Sequence, residues 1–215
     1  MRPEPDGAAV AGPDDDASSS GRAAGASRTD RPPRELPSGP LTLCAFAGDE
    51  GAVLNRLVVA NLEHLRPWMP WAKVAPTVEE NVEFVRRSVE EWDHGANFGF
   101  WLREDSSGQM VGCAGLLARI GPGGMEIGYW VAEDRTRRGY ATASARALTS
   151  AAFGLRGIER VEIHCDEANL ASAAVPRRLG FRLARVDRVP PDAPSEAGRQ
   201  LVFVVDAASW VRGSS

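Results

Sequence analysis

The segment 133–142, Glu-Asp-Arg-Thr-Arg-Arg-Gly-Tyr-Ala-Thr, has the composition of an anion-binding loop. It follows a strand-like stretch and precedes a helical pattern, and the first turn of a helix has N–H groups without intrahelical partners. These groups and the helix dipole attract negative charge. Gly139 allows the backbone to approach a ligand closely, and Ala141 leaves the first helical turn unobstructed. The segment therefore predicts a pyrophosphate site, to which its arginines would add charge-assisted hydrogen bonds.

Two other phosphate-binding motifs are excluded. No GxxxxGKS or GxxxxGKT sequence occurs, and the single lysine, Lys73, lies far from this loop. The glycine-containing segments 112–115 and 121–124 lie in or between predicted strands with no helix after them, which excludes a dinucleotide fingerprint. An ordinary strand-to-helix turn with solvated arginines stays open for segment 133–142, because spacing alone does not separate it from a phosphate site.

The other reactive side chains are scattered. Cys44, Cys113 and Cys165 form no CxxC pair, and this odd set fits a reducing compartment, so a cytoplasmic location is expected. Cys113 and Cys165 lie on strand patterns, which favours core thiols over nucleophiles. The three histidines have no cysteine or carboxylate at metal-ligand spacing, so no metal is expected. We interpret His164, alone on a predicted strand, as structural rather than catalytic.

Composition divides the chain into a tail and one domain. Residues 1–40 contain 24 Gly, Pro, Ala or Ser residues and no aromatic residue, so we predict a disordered tail there. We predict one domain over residues 41–206, which carry a sizeable core, and a C-terminal extension over residues 207–215. The net charge of −4 argues against a nucleic-acid partner, and the short apolar runs argue against a membrane span.

The apolar patterns predict an α+β domain with the order β-α-α-β-β-β-α-β-α-β-β. Asp49 is a plausible N-cap for the first helix. Thr77 and Glu80 form a capping box for the next helix. The inward face of that second helix would carry its apolar side chains, which are Val78, Val82, Val85, Val89 and Trp92. An antiparallel meander follows over residues 97–132, and crossovers complete the domain.

Three blocks of the sequence resemble the signature blocks of the GNAT acetyltransferases, and they are most similar to the ribosomal-protein N-acetyltransferase (RimJ/RimL-type) branch. The blocks are Glu126-Ile-Gly-Tyr-Trp130, Arg138-Gly-Tyr-Ala-Thr142 and residues 169–181, which read Asn-Leu-Ala-Ser-Ala-Ala-Val-Pro-Arg-Arg-Leu-Gly-Phe. The similarity covers roughly residues 41–206 in the same element order. It implies a single GNAT-like domain whose mixed, mostly antiparallel sheet is splayed into a V with flanking helices. Acetyl-CoA, as co-substrate and without a metal, would lie between the two central strands.

The resemblance also assigns residues to the cofactor. The strand end would offer backbone groups to the pantetheine arm and the acetyl carbonyl, through Trp130, Val131 and Ala132. The phosphates would lie against the backbone amides of Arg137, Arg138, Gly139, Tyr140, Ala141 and Thr142. The family's loop follows Gln/Arg-x-x-Gly-x-Gly/Ala, and its first position falls on Thr136, which puts one side-chain contact in doubt. Asn169 falls where the family places a polar group near the cofactor thiol.

Transfer from a thioester to an amine needs a neutral amine, an oxyanion stabiliser and a proton for the departing thiolate, but no covalent nucleophile. The resemblance implies that Ser172 interacts with the thiol of CoA and that Asn169 supports Ser172. Glu126 is the candidate base, acting directly or through water, and a solvent-facing strand carboxylate is the equal alternative. Tyr129 and Tyr140 are the only candidates for a phenolic acid, and Tyr140 is expected to pack.

The acceptor is expected at an apolar loop that contains His64, Trp68 and Trp71, where the family binds its substrate. A protein or peptide N-terminal α-amine is the favoured acceptor, and a small-molecule amine is the alternative. A catalytically silent acyl-CoA-binding regulatory module is the second class of function. The chain is expected to be a monomer or homodimer.

Overall fold

A computed structural model of the chain describes residues 28–213. Its strands are Glu35–Ser38 (β1), Leu41–Ala45 (β2), Asn97–Glu104 (β3), Met110–Leu117 (β4), Gly124–Val131 (β5), Arg160–Asp166 (β6), Arg182–Arg188 (β7) and Arg199–Asp206 (β8). Its helices are Gly51–Ala60 (α1), Leu62–Leu65 (α2), Val78–Asp93 (α3), Tyr140–Phe153 (α4), Leu170–Arg178 (α5) and Ala207–Gly213 (α6). The strands form one 8-stranded sheet in the order β1-β2-β3-β4-β5-β6-β8-β7.

The sheet splits at the pair formed by β5 and β6, which is its parallel pair. These strands pair over only three positions, and the last of them is Glu126 with Glu162. β5 continues to pair with β4 up to Val131, and β6 continues to pair with β8 up to Asp166. The space between the separated halves of β5 and β6 is called the strand gap below. The predicted α+β fold with a splayed, mostly antiparallel sheet is confirmed.

Side chains of β5 and β6 divide between two layers because a strand alternates its faces. Ile127 and Val131 of β5, with Ile163 and Cys165 of β6, belong to the larger apolar cluster, which includes residues of α4 and α5. This side is called the α4–α5 face. Trp130 packs against the smaller cluster, which includes residues of α1 and α3. The even-numbered residues of both strands therefore lie on this second side, the α1–α3 face.

Helix α3 begins with the predicted capping box. The Thr77 hydroxyl accepts a hydrogen bond from the Glu80 N–H at 3.1 Å, and the Glu80 carboxylate accepts one from the Thr77 N–H at 2.8 Å. The predicted inward face is correct at Val85 and Trp92, which are buried. The rings of Trp92, Phe98 and Phe100 pack edge to face, which fixes the rotation of the helix.

The predicted inward face of α3 is wrong at two valines, because the observed rotation of the helix turns them outward. Val78 and Val82 are exposed, and the buried stripe of α3 instead includes the polar residues Asn81 and Ser88. α1 lies over this stripe, and a Cβ at Gly51 would come within 2.6 Å of Val82. α1 also begins one residue later than expected: Glu50 rather than Asp49 is the N-cap, and its carboxylate accepts hydrogen bonds from two preceding N–H groups.

The predicted boundary of the tail at residue 40 is wrong, because residues 28–40 join the domain. β1 pairs antiparallel with β2, and Leu36 packs against the larger apolar cluster. Thr29 exchanges backbone hydrogen bonds of 3.0 and 2.9 Å with Gly154 and Arg156. Proline-rich composition concealed the strand, since an edge strand pairs on one side only and tolerates Pro37. The rest of the predicted tail, residues 1–27, lies outside the described residues.

The predicted C-terminal extension begins with α6, and this helix also packs on the domain. The Trp210 ring lies 6.2 Å from the Phe181 ring, centroid to centroid. No helix within residues 28–213 is long and apolar enough to cross a membrane.

Candidate active site

The loop between β5 and α4 adopts the conformation of an anion-binding loop. Arg137 and Gly139 both have left-handed backbone conformations, with φ of 59° and 81°. α4 then begins at Tyr140, and no side chain caps its N-terminus. In the described part of the chain, the N–H groups of residues 137–142 have no hydrogen-bond acceptor. Alternating backbone conformations turn successive N–H groups into one concavity, which is the geometry of an anion nest.

A buried carboxylate that the sequence analysis missed supports this loop. Glu104, at the end of β3, accepts a hydrogen bond of 2.6 Å from the Tyr140 hydroxyl. Its Oε1 also lies 3.5 Å from Arg135 Nε and 3.6 Å from Arg138 Nη1. The hydrogen bonds from Tyr140 and Ser107 lower the pKa of the Glu104 carboxyl, so it is ionised at neutral pH. Tyr140 therefore packs, as expected, and Arg138 shares its charge with the protein as well as with solvent.

The backbone of β5 presents a free edge to the strand gap. β4 pairs with one edge of β5 up to Val131, while pairing with β6 ends at Glu126. Within the described residues, the other edge of residues 127–131 is therefore without a partner strand. Its N–H and C=O groups suit an extended ligand that carries amides, such as the pantetheine arm of CoA. Trp130, Val131 and Ala132 lie where this edge meets the anion-binding loop.

Three polar side chains meet on the α4–α5 face of the gap. The Tyr129 hydroxyl donates to the Ser172 carbonyl at 3.1 Å and lies 3.3 Å from Ser172 Oγ. Burial raises the pKa of Tyr129, so the phenol is neutral and able to donate. Burial also raises the pKa of Cys165 to about 11, and a hydrogen bond with Ser172 partly offsets this. Cys165 is therefore a neutral thiol.

Asn169 holds Ser172 in position. Its side-chain oxygen accepts a hydrogen bond from the Ser172 N–H at 3.0 Å and caps α5. Asp166, at the end of β6, fixes the same region by accepting backbone hydrogen bonds of 2.9–3.2 Å from Ala168, Ala197, Gly198 and Arg199. Burial alone would raise the pKa of Asp166, but these bonds outweigh it and lower the pKa.

On the α1–α3 face, Glu126 is not the solvent-facing carboxylate of the alternative interpretation. Its side chain is 5% exposed. Both carboxylate oxygens accept hydrogen bonds from Arg119, of which the bond from Nε to Oε2 measures 2.8 Å. Arg119 itself is 64% exposed, so this bidentate pair connects the buried carboxylate to the protein surface.

His164 lies between Glu126 and a second buried carboxylate, Glu162. Its Nε2 is 2.7 Å from Glu162 Oε2, and its Nδ1 is 3.5 Å from Glu126 Oε2. Arg160 Nε also donates to Glu162 at 3.1 Å. Burial would raise the pKa of Glu162, yet the hydrogen bonds from His164 and Arg160 prevail and lower it. The sequence signal was the Glu-x-His spacing in β6, which places both side chains on one face.

The structure brings one of the three predicted acceptor residues to this face. The Trp71 ring, on the 3-10 turn Pro70–Ala72, lies 6.4 Å from the Trp130 ring, centroid to centroid. His64 lies in α2 and Trp68 in the turn after it, both half-buried. Among the contacts of the described residues, none joins these two side chains to the gap.

The loop between β7 and β8 closes over the Trp71 segment. Lys73 Nζ pairs with Asp192 at 2.6 Å, and the Ser195 N–H donates to the Pro67 carbonyl at 3.0 Å. Glu196 accepts backbone hydrogen bonds within the loop. These acids therefore maintain the loop rather than face the gap. Over residues 28–213, no three or more His, Cys, Asp or Glu side chains are grouped to hold a metal ion.

Comparison with known proteins gives the family of this fold. Residues 41–182, more than half of the chain, match the family described as Acetyltransferase (GNAT) domain. The chain belongs to the GNAT family. Within it, a mycothiol acetyltransferase of Salinispora tropica is 36% identical over 101 residues, which are 44% of this chain and 32% of that protein. The chain spans about a third of the length of the curated relatives it matches.

Solved structures share the GNAT fold over most of their length. RimL, a ribosomal L7/L12 α-N-protein acetyltransferase in complex with coenzyme A, superposes with a TM-score of 0.73 at 24% identity over 80% of this chain and 97% of that one. RimJ of Mycobacterium smegmatis, in complex with a CoA disulfide, superposes with a TM-score of 0.72 at 24% identity, over 83% of this chain and 90% of that one. At this identity the likeness establishes the GNAT fold.

Proposed function

We propose that this GNAT protein transfers an acetyl group from acetyl-CoA directly to a primary amine, with a protein or peptide N-terminal α-amine as the favoured acceptor. One observation carries the proposal: the strand gap runs from a loop of unpartnered N–H groups to a closed end with polar side chains on both faces. Such a gap suits acetyl-CoA, with its phosphates at the loop and its amide-containing arm along the gap. The thioester would then lie between two sets of side chains that can donate or accept protons.

The cofactor would be held mainly by main-chain groups. The N–H groups of Arg137, Arg138, Gly139, Tyr140, Ala141 and Thr142 are free to bind the pyrophosphate. The free edge of β5 at Val131 is available to the pantetheine amides and, nearer Glu126, to the acetyl carbonyl. Trp130 and Ala132 flank this edge, and the Ala132 N–H already donates to the Val111 carbonyl at 2.8 Å. Thr136 replaces the family's Gln or Arg, and its hydroxyl donates to the Glu133 carbonyl at 2.8 Å, within the loop itself.

The departing thiolate would be met from the α4–α5 face. Ser172 Oγ would donate to the CoA sulfur, and Ser172 is held by the Asn169 cap and by Tyr129. The neutral Tyr129 hydroxyl donates to the Ser172 carbonyl and lies 3.3 Å from Ser172 Oγ, so it fixes the hydroxyl that would donate a proton toward sulfur. Asn169 is then a positioning residue rather than a donor to sulfur.

The acceptor would enter from the α1–α3 face, past Trp71 and Trp130. Two indole rings form an apolar wall that suits the first side chain of a peptide. The carboxylates Glu126 and Glu162 lie on this side, each paired with arginine. An α-amine carries a positive charge over much of the neutral range, so the acceptor must lose a proton here before it reacts. The ribosomal-protein activities of RimL and of a related Salmonella typhimurium acetyltransferase support this class, and such an acceptor fits a cytoplasmic reaction.

A small-molecule amine is the second candidate, since the mycothiol acetyltransferase is the relative with 36% identity. Thiol release from acetyl-CoA, measured across peptides with free or blocked N-termini and across small amines, separates the two. Mass spectrometry of the product locates the acetyl group, and calorimetry measures CoA binding. We expect turnover with free N-termini and none with blocked peptides. CoA binding without turnover on any amine would instead identify a silent binding module.

A further inference from the structure

We propose that His164, rather than Glu126, accepts the proton of the acceptor amine, and that Glu162 and Glu126 are the positioning residues of this base. The inference rests on the proposed acetyl transfer. It starts from the place of His164 on β6, two residues beyond the last pair with β5, where the gap opens. His164 is 12% exposed, against 5% for Glu126 and 7% for Glu162, so it is the most accessible of the three.

The hydrogen bond to Glu162 fixes the tautomer of His164. Glu162 is held ionised by His164 and Arg160, and an ionised carboxylate only accepts, so Nε2 carries the hydrogen. In the neutral imidazole, Nδ1 then has a free lone pair. Nδ1 lies 3.5 Å from Glu126 Oε2, too far for a good hydrogen bond, so the carboxylate faces the nitrogen that would take the proton without occupying its lone-pair direction.

The pairing of Glu126 makes it unsuited to the same task. Both of its oxygens accept hydrogen bonds from Arg119, and protonation of the carboxylate would disrupt this bidentate pair. The other charged groups near His164 are Arg160 on its own strand and Arg185 on β7, whose Nη2 lies 3.8 Å from Glu162. Both arginines contact Glu162 and leave the Nδ1 side of the ring to Glu126.

The proton balance follows from the two faces of β6. His164 Nδ1 takes a proton from the ammonium, and the freed lone pair of nitrogen forms the bond to the acetyl carbon. The C–S bond breaks with its electrons going to sulfur, which receives a proton from the Ser172–Tyr129 side. On collapse of the tetrahedral intermediate the nitrogen loses its second proton to solvent, from which the Ser172 side is reprotonated, and His164 returns its own proton to solvent. In sum, one ammonium and one thioester give an amide, a thiol and one proton, which is released to solvent.

The main test compares pH profiles of kcat/KM for the full chain and for His164→Gln, Glu126→Gln and the matched control His94→Gln. His94 lies at the end of α3, exposed and outside the gap. We expect His164→Gln to lower kcat/KM by about 10²- to 10⁴-fold at neutral pH with CoA affinity unchanged. The deficit should shrink above the pKa of the amine, where solvent supplies the neutral form, and added imidazole should restore part of the rate.

The expected effect of Glu126→Gln is smaller, because Glu126 faces the base but does not itself accept the proton. A wild-type profile in both His164→Gln and His164→Asn would overturn the inference. So would a larger loss in Glu126→Gln than in His164→Gln. Failure of the wild-type chain to acetylate any amine counts against the proposed function instead, and is thereby distinguished from failure of the inference.

A second measurement needs no turnover. Nitrogen-15 spectra of histidine-labelled protein with bound CoA report which ring nitrogen carries the hydrogen, and His164→Gln identifies the signal. We expect His164 to be in the Nε2–H tautomer in the wild type. In Glu162→Gln we expect this preference for Nε2–H to be lost. An Nδ1–H tautomer in the wild type would leave no free lone pair toward Glu126 and would refute the assignment.

Discussion

The anion-binding loop is built from main-chain groups, whereas the closed end of the strand gap is built from side chains. At the loop, the left-handed residues Arg137 and Gly139 orient N–H groups outward. The positive charge of Arg138 is partly neutralised by Glu104. At the closed end, side chains of β5 and α5 form hydrogen bonds on one face, and ionisable side chains of β6 form them on the other. A main-chain site distributes its binding over many groups, and a side-chain site concentrates its effect in a few. Single substitutions should therefore have very different consequences in the two regions.

Among the substitutions not yet discussed, the largest effect is expected at Ser172. Ser172→Ala should lower kcat by about 10- to 1000-fold while the CoA Kd stays unchanged, because its hydrogen bond strengthens only as charge builds on sulfur. Pre-steady-state thiol release measures the chemical step. Ser106→Ala, at an exposed serine of the β3–β4 turn, is the matched control. Equal losses in kcat and CoA affinity would show that Ser172 merely supports the fold.

Asp166 supports the closed end through the segment before α5 and the β7–β8 loop, and its removal should cost less. Asp166→Asn should lower the free energy of unfolding by about 1–3 kcal/mol at pH 7 through weakened bonds to four backbone N–H groups. The native pKa of Asp166 is lowered. Its contribution is therefore present above the unfolded-state pKa and is lost as the pH falls through the native value.

Urea unfolding over a pH series measures this contribution. The difference in free energy of unfolding between wild type and Asp166→Asn should become smaller below about pH 4. Asp187→Asn, which removes an exposed ion pair of 2.8 Å with Arg185, is the control and should change stability little. A constant difference between wild type and Asp166→Asn at all pH values would contradict the assignment.

Gly139→Val should weaken CoA binding by about tenfold, or about 1.4 kcal/mol. A β-branched residue resists a φ of 81°, so several N–H groups would turn away from the ligand together. Gly157→Val is the control, since Gly157 has a φ of 78° and, like Gly139, open space where a Cβ would lie, but precedes β6. Calorimetry should show weakened CoA binding in the first variant alone. Loss in both would point to general destabilisation.

The smallest effect is expected at Arg138. Arg138→Ala should weaken CoA binding only about two- to threefold, because Glu104 already takes part of the positive charge. The loss should be greater at low salt than at high salt, since exposed charges are screened. A loss larger than that of Gly139→Val would reverse the contrast between the two regions.

The sequence predicted the loop better than the closed end for a physical reason. A glycine at a helix start and the spacing of the Asn169–Ser172 cap are local signals, and both motifs lie on contiguous residues. Strand alternation likewise predicted most of the sheet. The edge strand β1 was missed because its pairing depends on β2 rather than on its own composition.

The missed site residues come from separate elements. Glu104 belongs to β3 but supports the loop before α4, and Arg119 pairs with Glu126 across a turn. His164 is an isolated histidine until the parallel register of β5 and β6 places it beside Glu126. Such contacts are set by tertiary pairing, which residue spacing within one element does not encode.

The alternation of β6 also has a consequence for how relatives of this protein diverge. Glu162 and His164 lie on the α1–α3 face, where we propose that the acceptor binds, whereas Ile163 and Cys165 face the side of Ser172. Under that proposal, replacement of the first pair would change which amine is used without altering how CoA is held. An insertion or deletion of one residue in β6 would exchange the faces and damage both halves of the reaction at once. Evolution of new acceptors should therefore proceed in this strand by replacement, with its length preserved.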